Sequence, residues 1–278
     1  MPNQNGRLLT VIRPGAERIG VQIHRLWDAR ELIYFLVWRD FKVRYKQTVL
    51  GVSWAILQPF TMMAVFSIIF GHLAKLPSEG IPYPIFAFSG LVPWQMFSFA
   101  TTESANSLVQ SQYLITKIYF PRLIVPLAPV FTAMLDFLFA FLLLIGTMVF
   151  YGDPPKLTIL LLPFFVLLAV LTSFAAGLWL AALTAEYRDI RHTIPFLMQI
   201  WLFLTPIAYP ENLVPEKWRL LYGLNPMVSV IEGFRWALLG TPSPPLTTLL
   251  ASGIAVVVIV CGGIRYFNNV ETTFADVL

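Results

Sequence analysis

Residues Leu157–Ala185 read LTILLLPFFVLLAVLTSFAAGLWLAALTA, and no charged side chain lies between Lys156 and Glu186. A helix that crosses a bilayer needs about 20 consecutive, mostly apolar residues. This stretch exceeds that length. Its apolar run is continuous, whereas the strands of a membrane barrel alternate over about ten residues, so it reads as a helix. Working outward, five further segments show the same pattern. Val49–Phe70 sits in the charge-free interval from Lys46 to Lys75, and Pro84–Thr102 in that from Glu79 to Glu103. Leu123–Phe150 holds one charge, Asp136. Thr193–Tyr209 is short and carries Pro195 and Pro206, and Leu246–Ile264 completes the set. The expected fold is an all-α integral membrane protein of six transmembrane helices. It forms one transmembrane domain over 1–278: a cytoplasmic tail and interfacial helix (1–48), spans one to five (49–209), an external segment (210–245), and span six with a cytoplasmic tail (246–278).

Composition agrees. Hydrophobic residues make up 57% of the chain and charged residues 12%, about half the charge of a typical soluble domain. Such a chain lacks the polar groups to cover a water-facing surface. The net charge of +4 reads as a topology signal and not as a nucleic-acid footprint. Of the 19 Lys and Arg residues, fourteen fall on one side of the six spans, nine of them before the first span. Lys/Arg-rich flanks stay cytoplasmic, which puts both termini there. The single cysteine, Cys261, excludes an intramolecular disulfide. The first apolar run begins too late for a cleavable leader, so none is expected.

The segments between spans carry pattern of their own. Asp28–Gln47 lacks Pro and Gly and reads as a helix. Tyr34, Trp38, Phe41 and Tyr45, spaced 4, 3 and 4, form one aromatic stripe beside a basic stripe of Arg39, Lys42 and Lys46. Aromatic and basic residues together favour the headgroup layer, so this helix is expected along the cytoplasmic membrane surface. Leu32, Leu36 and Val43 fall on a further face. The basic stripe reads either as a membrane anchor or as an attractor for an anionic, lipid-linked substrate. Pro210–Pro245 is apolar for a loop, and Asn225-Pro226 punctuates it. It reads as two short helices that dip into the outer leaflet and return, or as an ordinary amphipathic pair, with Glu232 and Arg235 spaced to pair on the second. Glu186-Tyr187-Arg188-Asp189 is a charged cytoplasmic turn. Asp136, deep in a span, is expected to face protein or water.

Several chemistries have no residues to carry them. There is no G-x-x-x-x-G-K-[ST] loop for ATP and no H-E-x-x-H. No Cys/His cluster is spaced for a metal, and no G-x-S-x-G elbow appears. Nearly chargeless, aromatic-rich spans argue for a conduit whose energy comes from elsewhere. An enzyme acting on polyprenyl phosphates would need clustered acids or histidines at one membrane face.

The run Arg39-Asp40-Phe41-Lys42-Val43-Arg44-Tyr45-Lys46-Gln47-Thr48-Val49-Leu50-Gly51, followed by Trp54, Leu57, Gln58 and Pro59, resembles the start of the polysaccharide-export permeases. These are the membrane subunits of bacterial ABC exporters for O-antigen, capsule and teichoic acid. Glu186-Tyr187-Arg188-Asp189-Ile190 resembles that family's second cytoplasmic loop. The stretch from Thr205-Pro206-Ile207 through Leu224-Asn225-Pro226 to Phe234-Arg235 is also similar. The resemblance implies a homodimer in the cytoplasmic (inner) membrane with a channel along its axis. Two copies of a separate ATPase subunit, which hold the ATP and Mg, would bind below, and no cofactor would bind this chain. The substrate would be a glycan on a polyprenyl diphosphate. It further implies that Arg39, Lys42, Lys46, Leu50 and Gly51 lie where the lipid head group enters. Tyr45, Trp54, Phe60, Trp94, Phe97, Trp201 and Tyr209 are the candidates for lining the channel. Val109–Lys117 and Glu186, Tyr187, Arg188 and Asp189 would meet the ATPase, and Asn225, Pro226, Glu232 and Arg235 would build the external segment. A drug or small-lipid exporter is the alternative within the same superfamily.

Overall fold

The computed structural model describes residues 24, 26–46, 51–118 and 120–271. The regular structure among these residues is all helical, with no strand. In chain order the α-helices are α1 (Arg30–Lys46), α2 (Trp54–Phe66), α3 (Tyr83–Gln110), α4 (Gln112–Lys117), α5 (Ile124–Phe150), α6 (Leu162–Glu186), α7 (Ile190–Phe203), α8 (Glu216–Gly223), α9 (Pro226–Leu239) and α10 (Leu246–Val270). A π-helical stretch, Ser67–Leu73, prolongs α2.

Four helices are long and apolar enough to cross a membrane: Trp54–Leu73, Ile124–Phe150, Leu157–Glu186 and Leu246–Val270. The chain is a multi-pass membrane protein on that basis. Helix α3 is as long as these but carries Ser, Thr, Gln, Asn and Glu side chains. It forms the centre of the bundle, buried along most of its length against α2, α5, α6 and α9. A helix wrapped in protein on most sides need not present lipid-soluble groups, which explains its lower hydropathy. Where α3 crosses α6, Gly177 lets the backbones approach: a Cβ there would lie 2.6 Å from Ser104 Cβ. Small residues at such crossings are the usual device of helix packing in membranes.

Helix α9 is too short to span, at about 21 Å for its 14 residues. It is nevertheless buried around almost its whole circumference, packed on α3, α6 and α10. Gly233 admits the Phe165 ring, which would overlap a Cβ. An amphipathic pair lying on the outside would leave one face free, so that reading does not apply to α9. Its partner α8 is more exposed: Trp218, Leu220 and Leu221 face outward.

Helix α1 is held against the bundle. Leu36 packs into a second core with residues of α3, α5 and α6, while Arg44 and Tyr45 reach Asp136. Asp136 lies about 18 Å of helix rise beyond the start of α5. The helix therefore leans along the first half of α5 instead of lying only across its end. Of the third face, Leu36 is buried but Val43 is exposed.

Candidate functional site

The chemistry concentrates where α1, α2, α3, α5 and α7 meet. Asp136 of α5 accepts a hydrogen bond from Tyr45 Oη at 2.6 Å and forms an ion pair with Arg44. The Arg44 guanidinium also lies 4.0 Å from the centre of the Phe99 ring on α3. A carboxylate at this depth demands such partners, and it draws both from the helix that precedes the first span.

Three cavities open around this cluster, and Phe99 borders all of them. One, of about 260 Å3, runs between α1, α3 and α5 and is charged, lined by Arg39, Asp40, Arg44 and Glu103 among others. A smaller one, about 80 Å3, lies against Arg44, Tyr45, Trp54, Gln58, Gln95 and Asp136. The third and largest, about 520 Å3, is a groove between α2, α3 and α7. Its wall holds Gln58, Gln95, Ser98, Thr102 and Gln199 with Trp94, Phe99 and several apolar side chains, and no charged residue. Going from α1 into the bundle, the lining passes from charged to neutral and hydrogen-bonding.

The expected head-group residues have separate fates. Arg39, Lys42 and Lys46 are exposed on α1. Arg39 is paired with its neighbour Asp40 at 2.8 Å, and Lys42 lies over the Trp38 ring. Gly51 makes the turn into α2 with φ of 51°, a conformation open to glycine because it has no Cβ. Leu50 lies outside the described residues. The basic residue that points inward is Arg44, which the stripe pattern did not single out. The signal was available in Asp136, whose position within a span called for a cation.

The aromatic candidates divide as well. Phe97 is fully buried, edge-on to Trp201 at 4.9 Å and beside Trp94. A ring without accessible surface cannot stack on a passing ligand, so Phe97 is core. Tyr45 is likewise buried and committed to Asp136. Trp94 is nearly buried and only borders the large groove. Trp201 is partly accessible and donates Nε1–H to Asn225 Oδ1 at 3.0 Å. Tyr209 Oη donates to Phe203 O and lies 3.0 Å from Tyr222 Oη. Trp54 and Phe60 of α2 stay exposed. The residues missed from sequence are the amides Gln58, Gln95 and Gln199, which come from three helices and share no sequence pattern.

The segment between α7 and α10 is fastened at two points. Asn225 caps α9 by accepting from Met227 N–H at 3.1 Å. It also donates to Thr205 Oγ1 at 3.1 Å, so one side chain ties the end of α7 to the start of α9, which begins at Pro226. Arg235 is buried, with Glu232 at 3.0 Å, the Ile207 and Tyr209 carbonyls accepting at 2.8 and 3.3 Å, and its guanidinium over Phe86.

At the opposite end, Glu186, Tyr187, Arg188 and Asp189 form an exposed turn between α6 and α7. Glu186 accepts from Tyr266 Oη at 3.1 Å, which links the turn to α10. Helix α4 exposes Tyr113, whose hydroxyl accepts from Lys117 Nζ. Among the described residues no three His, Cys, Asp or Glu side chains gather as a metal site.

Membrane-crossing helices around a neutral polar groove, with a charged cavity beside it, fit a membrane permease. The chain belongs to the ABC-2 type transporter family, whose model matches residues 31–239. It is 29% identical over 257 residues to the O-antigen export system permease protein RfbA of Myxococcus xanthus, covering 91% of this chain and 98% of that one. An RfbA of Klebsiella pneumoniae is 28% identical over 251 residues, 89% of this chain and 95% of its own length. The polysialic acid transport protein KpsM of Escherichia coli is 24% identical over 202 residues, 72% of this chain and 78% of that protein.

Proposed function

We propose that the chain is the membrane subunit of an exporter that moves a lipid-linked polysaccharide outward across the cytoplasmic membrane. The observation that carries this reading is the near full-length similarity to O-antigen export permeases, supported by a path whose lining changes from charged to neutral. On the exposed face of α1, Arg39, Lys42 and Lys46 would offer charge-assisted donors to the oxygens of a polyprenyl diphosphate head group. In this reading two copies assemble as a homodimer, and two copies of a separate ATPase hold ATP and Mg and dock on α4 and Glu186–Asp189. The fold is then read as six spans, α2, α3, α5, α6, α7 and α10, with both termini cytoplasmic. Helices α8 and α9 enter the outer leaflet and return. At that depth the bilayer tolerates non-helical backbone only where protein or water satisfies it.

The test is reconstitution of this chain with its ATPase in sealed vesicles holding lipid-linked glycan on the outer leaflet. Added ATP is expected to carry glycan to the lumen, beyond the reach of an external glycosidase. Equal protection without ATP, or transport by this chain alone, contradicts the proposal.

A further inference from the structure

We infer that the side-chain amides of Gln58, Gln95 and Gln199, with the hydroxyls of Ser98 and Thr102, form the line along which uncharged, hydroxyl-rich glycan segments slide. The inference rests on the export reading and assigns the sugar contacts within it. Three observations carry it. The five side chains come from α2, α3 and α7 and line one groove of about 520 Å3 that holds no charged residue. On α3, Gln95, Ser98 and Thr102 are spaced 3 and 4, which sets them on one helix face. Gln95 is half-buried at the groove wall and its Nε2 has no hydrogen-bond partner, so turning that amide toward a ligand would break no bond of the nitrogen.

The chemistry fits a sliding polymer. An amide offers both a donor and an acceptor, and so does a sugar hydroxyl. Either group can pair with the other in several orientations, so no single register of the glycan is favoured and each contact can be exchanged for the next. An ionised sugar meets no counter-charge in this groove, and burying it there is costly. Of the aromatic side chains expected to do this work, Phe97 and Tyr45 are buried, and Trp94 is the one that borders this groove.

The test uses a strain lacking the chromosomal copy, complemented by wild-type or variant chain, with pulse-labelled surface glycan as the readout. Failure of the wild-type copy to restore surface glycan removes the export reading itself. With wild-type export restored, Gln58→Met, Gln95→Met and Gln199→Met together keep side-chain length and remove the amides. The expected result is a fall in export rate of about tenfold or more, from three lost hydrogen-bonding groups. ATPase co-purification stays unchanged, and Gln199→Asn alone retains most of the rate. Export by the triple variant within about twofold of wild type, a shift too small for three lost hydrogen bonds, overturns the inference. If the triple variant fails to assemble, exposed Gln199→Met is read alone. Slowed export from an intact complex supports the inference. Wild-type export, or loss of assembly from that one change, overturns it, the latter because the strip would then be a seam between chains. A carboxylate or phosphate on every repeat of the exported glycan also overturns it.

Discussion

Arg44 illustrates how a single side chain can serve two regions. Its guanidinium neutralises Asp136, covers Phe99 and borders the two cavities nearest α1. Arg44→Gln leaves a half-buried carboxylate without its cation. The expected loss is about 1–3 kcal/mol, below the value for fully buried pairs because Arg44 is partly exposed. Asp136→Asn alone should also destabilise, and the double variant should recover part of the sum, as interacting pairs do. Thermal unfolding of the purified protein checks this, and strictly additive losses would show that the pair contributes nothing. A second residue sets a pH dependence. Burial and the nearby Glu232 charge push the Glu211 carboxyl above the usual glutamate range. The folded state then holds this proton more tightly than the unfolded one, so ionised Glu211 costs stability above the raised value, and the cost vanishes below the ordinary one. Glu211→Gln is expected to raise the melting temperature at pH 8, with the gain shrinking towards pH 4. A gain independent of pH would assign the effect to packing.

Helices show where sequence reading succeeds and where it stops. Continuous apolar runs such as Leu157–Ala185 declare themselves because lipid is their solvent, and four helices follow directly from them. Helix α3 is legible by length, but not as the bundle's centre, since its neighbours come from the whole chain. The tilt of α1 was hidden for the same reason: a wheel shows faces, and only the pairing of Arg44 with Asp136 shows where the helix ends. Asn225-Pro226 was legible because a cap followed by proline is a local signal, whereas the bonds from Asn225 and Trp201 that fasten it are not local. The turn at Glu186–Asp189 belongs to this scale too. It joins two helices of the bundle and touches α10 through Tyr266, so a push on it reaches three elements. Alanine across Glu186–Asp189 is expected to lower co-purification of the ATPase while leaving membrane insertion intact. An undiminished complex would move the dock elsewhere, with α4 the next surface.

At the scale of the whole molecule, charged and neutral cavities lie around Phe99. Charge gathers beside α1, Phe99 stands at the junction, and neutral amides and hydroxyls line the groove beyond. A conduit for a polymer with an anionic head and a hydroxylated body requires that order. The exposure of Arg39, Lys42 and Lys46 was legible in the sequence because their spacing marks a helix face. The groove was not legible there because Gln58, Gln95 and Gln199 lie on three helices far apart in the chain and meet only after folding. The most direct measurement is to delete the gene and locate the lipid-linked glycan by surface labelling before and after permeabilisation. The account predicts polymer trapped inside the cell with its synthesis still running, and its return to the surface on complementation. Normal surface polymer in the deletion strain would contradict it.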